Sequence, residues 1–287
     1  MGVAPNPEVG MIIYCFACRV NSWGVKTLQY YKMIWRGYEL NSFMKDNFSY
    51  RKWSVLAVLS ILLWAPIFAV AAPQAPEGMV WVPPGEFVMG LEGASNKTPH
   101  KVFLDGFFID RFEVTQKDYE SLRGGNPSKF TGGDHPVDQV NWYEAKGYCS
   151  KAGKRLPTEA EWEKAARGGA ASLYFWGEDM DPKYAWFDDN SEEQTHPVGT
   201  RQPNAFGVYD TSGNVWEWVA DWYEKKYYER SPTKNPKGPE TGEEKGLRGG
   251  SWYSGARHLT AATRYWSDPY VRNSNFGFRC AKDAPRE

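Results

Sequence analysis

The chain has 287 residues, with 34 Lys and Arg against 35 Asp and Glu for a net charge of −1, and it contains 4 Cys and 14 Trp. Charges of both signs are interspersed and no basic stripe forms, which argues against a nucleic-acid binder working through phosphate contacts. The length allows one or two domains.

Residues 53–72 are almost wholly apolar, follow Arg51 and Lys52, and close on Ala69-Val70-Ala71. A charged start, an apolar middle and a small-residue stop make a secretory signal. Such signals sit at the N-terminus, yet 50 residues come first here. Met44 opens Met-Lys-Asp-Asn-Phe-Ser-Tyr-Arg-Lys, an ordinary signal start. Translation is therefore expected to begin at Met44. Residues 1–43 are then a leader that is not translated, 44–72 a signal cleaved after Ala71, and 73–287 the mature chain. The rival reading is an uncleaved anchor, because about 20 apolar residues span a bilayer. Both readings put everything after residue 72 outside the cytoplasm, periplasmic or secreted.

Of the charged residues, 7 of the 34 basic and 3 of the 35 acidic ones precede residue 73, which leaves the mature chain at −5. It keeps two cysteines, Cys149 and Cys280. In an oxidising compartment two such cysteines read as one disulfide. The loop closed would be about 130 residues long and would add about 3–5 kcal/mol in the chain-entropy description. Cys15 and Cys18 form a CxxC inside the leader and are given no metal or redox role.

Along the mature chain, residues 72–78 are a short Pro/Ala linker. Residues 79–82 and 86–89 flank Pro83-Pro84-Gly85 as strand, turn and strand. Residues 102–110 read as one apolar strand with a bend at Gly106. Thr115 starts a short helix with Asp118 in capping register, and residues 126–134 are a Gly/Pro/Ser loop. Asn141 with Glu144, and Thr158 with Glu161, are capping boxes that open two further helices. Trp142, Ala145 and Cys149 recur on one face of the first, which puts Cys149 inside. Gly168-Gly169 ends the second. Residues 173–209 are aromatic, rich in Gly and Pro, and weakly periodic. Residues 224–245 are polar and carry Pro232, Pro236 and Pro239, as an exposed loop would. Residues 248–252 and 275–280 read as late strands. The pattern predicts one α+β domain with little regular secondary structure and an aromatic core beneath irregular loops.

The densest stretch is Asp210-Thr-Ser-Gly-Asn-Val-Trp-Glu-Trp218. Gly213-Asn214 is a turn signal, since both residue types tolerate positive φ. A tight turn there folds Asp210 and Glu217 toward each other and aims the carbonyls of Gly213 and Val215 into the same space. Carboxylate and carbonyl oxygens are what Ca²⁺ accepts. The plainer alternative is a turn between packed aromatics. Trp216 and Trp218, two apart in an extended segment, share a face.

Eight segments, in order, resemble the formylglycine-generating enzyme family, also called sulfatase-modifying-factor domains. They are Val82-Pro-Pro-Gly-Glu-Phe-Val-Met-Gly90, Glu113-Val-Thr115, Pro136-Val137, Gly153-Lys-Arg-Leu-Pro-Thr-Glu-Ala-Glu-Trp162, Asn204-Ala-Phe-Gly207, Gly213-Asn-Val-Trp-Glu-Trp218, Arg248-Gly-Gly-Ser-Trp252 and Gly277-Phe-Arg279. The resemblance implies a C-type-lectin-like variant of the α+β class. It implies a calcium site on Asp210, Gly213, Val215 and Glu217, where family members often have Asn first. A second family site draws on an Asn in the segment matching Tyr-Ala-Trp-Phe-Asp-Asp at 184–189, whose absence weakens the case for that site. The family also joins its first capped helix to the last strand by a disulfide, at the positions of Cys149 and Cys280.

Active family members bind Cu(I) through two cysteines just after the Arg-Gly-Gly-Ser segment and use O₂ to oxidise a substrate cysteine to formylglycine. Here Ser254 stands at the first position and the second falls near Leu259; no cysteine lies between Cys149 and Cys280. A serine hydroxyl is a hard, neutral donor and does not replace a thiolate on Cu(I). Copper is therefore not expected, and no catalytic residue is assigned. Trp216, Ser251, Trp252 and Arg264 are candidates to line a groove for a protein, a peptide or a small polar ligand. The alternative is that the tryptophans are core and Arg264 is an internal salt bridge. His100, His135, His196 and His258 form no close pair, and neither a nucleophile-elbow nor a phosphate-loop motif is present. The expected function is an exported, calcium-stabilised binding or accessory domain. The alternatives are a formylglycine-generating oxidoreductase or another maturation oxidase with a metal site not visible in the sequence.

Overall fold

A computed structural model describes residues 13–20, 26–33, 72–93 and 97–285. The chain divides into two units, Met1–Phe68 and Ala69–Glu287. In the first, β1 (Ile13–Val20) pairs antiparallel with β2 (Lys26–Met33). The signal or anchor expected at 44–72 lies outside the described residues, Ala72 apart.

The second unit holds three short helices and nine short strands among its described residues. This is the α+β class expected. β3 (Met79–Val82) and β4 (Gly85–Met89) flank the Pro-Pro turn but enter different sheets. β4 pairs with β5 (His100–Leu104), while β3 pairs with β6 (Phe107–Asp110). The single strand expected at 102–110 is thus two, broken at Asp105-Gly106. The break is steric as well as conformational: a Cβ on Gly106 would sit 2.1 Å from the Trp81 ring.

The helices begin where their caps predict. α1 (Gln116–Arg123) is capped by the Thr115 side chain, which accepts from the Asp118 N–H. α2 (Trp142–Lys151) and α3 (Glu159–Arg167) both open on complete capping boxes, Asn141 with Glu144 and Thr158 with Glu161. Gly168 ends α3 at φ 57°, in the left-handed region.

The larger sheet runs β10 (Phe276–Gly277), β7 (Trp216–Trp222), β8 (Lys245–Arg248), β9 (Arg264–Ser267), with β10 parallel to β7 and the other pairs antiparallel. The smaller sheet is β11 (Ala281–Asp283), β6, β3. The late strands differ from expectation. Residues 249–252 turn away after β8, and the segment 275–280 is strand only at Phe276–Gly277. Gly249 and Gly250 have φ of 97° and 78°, a left-handed pair that ends an extended run. The polar loop 224–245 contains a 3₁₀ turn at Tyr227–Glu229, where both tyrosines are buried, so it is not wholly exposed.

One core packs α1 and α2 against the larger sheet through Tyr119, Trp142, Tyr148, Trp216, Trp218 and Phe278. Cys149 and Cys280, both fully buried, form a disulfide within it. The α2 helix is therefore fastened to the chain between β10 and β11.

Candidate metal cluster and groove

The turn before β7 takes the shape its sequence predicts. Asp210, Gly213 and Asn214 have φ of 55°, 89° and 58°. Gly213 is required for space as well, since a Cβ there would lie 2.0 Å from the Trp186 carbonyl oxygen. Asn214 ties the turn down. Its backbone N–H donates to Trp186 O, its Oδ1 accepts from the His196 N–H, and its Nδ2 donates to Glu113 at 2.6 Å.

Two carboxylates were expected here and a third, Glu113, is present. Glu113, Asp210 and Glu217 are all buried. Glu113 also accepts from the Val215 N–H at 3.1 Å, and Asp210 from Gly199 N–H at 2.7 Å. Glu217 is held by Arg279, whose Nε and Nη2 each donate to it at 2.7 Å, and by Trp162 Nε1 at 2.8 Å. Arg279 is the fully buried countercharge; Arg201 adds a part-buried one near Asp210. Three carboxylates thus face too little positive charge. Burial, followed by repulsion from Asp210 and Glu217, pushes the Glu113 carboxyl well above the usual range. Burial, opposed by the Gly199 hydrogen bond, raises Asp210 to about 6. Carboxylate oxygens with a surplus of negative charge are the donor type a divalent cation accepts, although both Glu217 oxygens are already engaged by Arg279 and Trp162. Among the described residues no three His, Cys, Asp or Glu side chains are arranged as a ready-made metal cage. Such a cation would therefore lean on the Gly213 and Val215 carbonyls besides Asp210 and Glu217.

Beside this turn, residues 253–258 and Tyr265 of β9 enclose an open groove of about 580 Å³. Trp216 and Ser254 line it, with Tyr253, Tyr265, Asn275 and, at the polar side, Asp188, Arg257 and His258. Tyr253 is 70% exposed and Tyr265 43%. Trp216 and Tyr265 stack at 5.1 Å. Of the four residues expected to line the groove, Trp216 does so. Ser251 is fully buried, with its Oγ 3.1 Å from Ser254 Oγ. Trp252 is buried with its indole N–H on Ser274 O. Arg264 is drawn inward to Glu159 at 2.7 Å, the internal salt bridge weighed as the alternative. The position near Leu259 is core, wholly buried with Tyr174, Ala185 and Phe187. Burial and the Arg257 guanidinium, whose Nε donates to His258 Nε2 at 3.0 Å, hold His258 below its ordinary pKa. His196 stacks on Trp186 at 3.6 Å, and His135 meets Thr195 Oγ1, so neither is placed as a ligand in the groove.

A larger cleft of about 1170 Å³ runs past Trp142, Trp222 and Lys245, and its two most buried cations, Lys245 and Arg155, are already engaged. Lys245 lies 3.6 Å and 4.0 Å from the two indole centroids and donates to Ala220 O. Arg155 is taken by Glu161 and Asp283.

The model of the sulfatase-modifying factor enzyme 1-like domain matches residues 67–284. The chain belongs to this family. The formylglycine-generating enzyme of Streptomyces coelicolor is 36% identical over 288 residues, which cover 75% of this chain and 92% of that protein. The bovine formylglycine-generating enzyme is 32% identical over 285 residues, covering 74% of this chain and 76% of that protein. A serine/threonine-protein kinase pkn1 of Chlamydia pneumoniae is 37% identical over 268 residues, or 79% of this chain, which spans only 43% of the kinase. Among solved structures, Treponema denticola variable protein 1 superposes with a TM-score of 0.69 at 31% identity, covering 72% of this chain and 95% of that one. PvdO from Pseudomonas aeruginosa gives 0.63 at 29%, covering 72% and 94%. The fold is accordingly the C-type-lectin-like variant.

Within this sulfatase-modifying-factor domain the groove does not fit the family's copper. Ser254 presents a hydroxyl bonded to Ser251, and the two cysteines that follow residue 72 are joined to each other. Glu113 is the site residue that sequence reasoning missed. Its signal was available as a carboxylate set between Phe112 and Val114, in a segment quoted only for its family likeness.

Proposed function

We propose that this chain is an exported, calcium-stabilised sulfatase-modifying-factor domain. It binds a protein, a peptide or a small polar ligand in the groove beside Ser254, without copper oxidase chemistry. The observation that carries the reading is the donor set of the groove: hydroxyls where Cu(I) needs thiolates, with both remaining cysteines committed to a buried disulfide. Calcium, when bound, supplies charge to the Glu113–Asp210–Glu217 cluster and pins the turn that leads into Trp216; it supplies no redox chemistry. What this chain's own residues do is present a shaped, part-aromatic groove on a rigid sheet.

The test is titration with Cu(I) followed by incubation of a Cys-x-Pro-x-Arg peptide under O₂. The expected result is no stoichiometric copper and no aldehyde in the peptide. Copper-dependent formylglycine would overturn the reading and assign the chain the oxidase activity for which its Streptomyces coelicolor relative is named.

A further inference from the structure

The groove has two surfaces of different character. One is aromatic and open to water: Tyr253 at 70% exposed and Tyr265 at 43%, the latter stacked on Trp216. Five large aromatics among the described residues are well exposed, Tyr143, Tyr253, Tyr265, Trp266 and Tyr270, and two of them flank this one depression, as a contact surface would. The other surface is polar and made of side chains with short, planar or hydroxyl heads: Asp188, Ser254 and Asn275. Asn275 is incompletely satisfied. Its Nδ2 reaches Ser251 Oγ at 3.5 Å, while its Oδ1 is buried with no partner among the described residues. A buried acceptor without a donor costs about 1–3 kcal/mol, so a small turn of the Asn275 amide that brings it to a ligand hydroxyl would be favoured. The groove's lining carries one formal charge of each sign, Asp188 and Arg257.

We infer that the groove is a subsite for a neutral saccharide, with Tyr253 and Tyr265 against the C–H face of a pyranose ring and Asp188, Ser254 and Asn275 serving its hydroxyls. This rests on the reading of the groove as a ligand site and names the small polar ligand. A pyranose is itself two-sided, apolar across its ring face and ringed by hydroxyls that both donate and accept. Aromatic bodies with carboxylate, hydroxyl and amide partners complement both sides at once. An ionised ligand finds no net charge to answer it. A volume of about 580 Å³ is that of a small-ligand site.

The experiment is calorimetric titration of the calcium-loaded mature chain with three neutral tetrasaccharides, β-1,4-linked glucose, β-1,4-linked N-acetylglucosamine and α-1,4-linked glucose, alongside an uncharged decapeptide. At least one tetrasaccharide is expected to bind. Tyr253→Ala and Tyr265→Ala should each weaken that binding roughly tenfold or more, with Tyr253→Phe close to wild type; Tyr253→Ala should leave the melting temperature unchanged because that side chain is 70% exposed, and Tyr265→Phe, which keeps the stack on Trp216, is the folded control at its position. No tetrasaccharide binding, or binding indifferent to both alanine variants, overturns the inference. If the decapeptide alone binds and depends on the same tyrosines, the saccharide assignment falls while the groove reading stands. If no probe binds, both fall.

Discussion

Two clusters of charge are buried in this domain, and they are balanced differently. The first joins α3 to the larger sheet. Arg248 donates to Glu159 at 3.1 Å and to Glu163 at 2.5 Å, Arg264 donates to Glu159 at 2.7 Å, and Arg167 to Glu163 at 2.8 Å. Three guanidiniums serve two carboxylates. Burial pushes Glu159 upward, yet Arg264 and Arg248 overcome it and hold the carboxyl below its ordinary range. The second cluster gathers three carboxylates around Arg279, and there burial and mutual repulsion win. The first is complete within the protein; the second is short of positive charge. Buried ions persist when paired, and an uncompensated excess is relieved by protonation, as at Glu113 and Asp210, or by a cation from outside the chain.

The sharpest break in this comparison is Arg248→Met. It leaves Glu159 and Glu163 buried with less than their full set of partners, and the expected loss is about 3–5 kcal/mol of stability by denaturant titration. A loss under 1 kcal/mol would mean that Arg167 and Arg264 suffice, and that the first cluster is not a single unit.

The next effect belongs to the second cluster. Without calcium, folded Asp210 titrates near pH 6 and unfolded Asp near 4. The folded state therefore holds the extra proton between those values, and stability falls as pH rises through them. A divalent cation needs the ionised form. Calcium at a hundredfold excess over its dissociation constant should add about 2.7 kcal/mol at pH 8, and less at pH 5. Asp210→Asn should raise the stability of the calcium-free protein at pH 8 by about 1 kcal/mol, reduce the calcium increment and flatten its dependence on pH. The substitution keeps an oxygen for the Gly199 N–H and a residue type that tolerates the positive φ. A calcium increment equal at pH 5 and pH 8 would separate the cation from these carboxylates.

The smallest test lies at the rim of the first cluster. Asp221 accepts from the Glu159 N–H at 2.8 Å, but burial and the Glu159 charge raise it to about 8. Its folded pKa exceeds the unfolded one, so its contribution declines as pH rises from about 4 toward 8. Asp221→Asn should leave stability near pH 4 unchanged and raise it at pH 8 by about 1 kcal/mol or more, as thermal melts at the two values would show.

Local chemistry was the part of the fold legible in sequence. Asn141 with Glu144 and Thr158 with Glu161 act across three residues, so their capping boxes could be read without knowing what the helices pack on. The Gly213-Asn214 turn was legible for the same reason. Long-range pairing was not. Nothing in residues 102–110 states that their two halves pair in different sheets, which depends on Trp81 occupying the space beside Gly106. Arg264 reads equally as groove lining or as a buried ion; its partner Glu159 is 105 residues away. Ser254 could be singled out because a missing sulfur is a fact of sequence, whereas Tyr253 and Tyr265 became visible only through their exposure.

The end of the chain belongs to every layer it touches. Phe276–Gly277 extends the larger sheet, Phe278 enters the aromatic core, Arg279 neutralises Glu217, Cys280 clamps α2, and Ala281–Asp283 completes the smaller sheet. Eight consecutive residues thus act as a closing seam, and the capped helices they fasten are all made before them. A nascent chain can form its capped helices early, but it cannot shut its core until residues 276–283 have emerged.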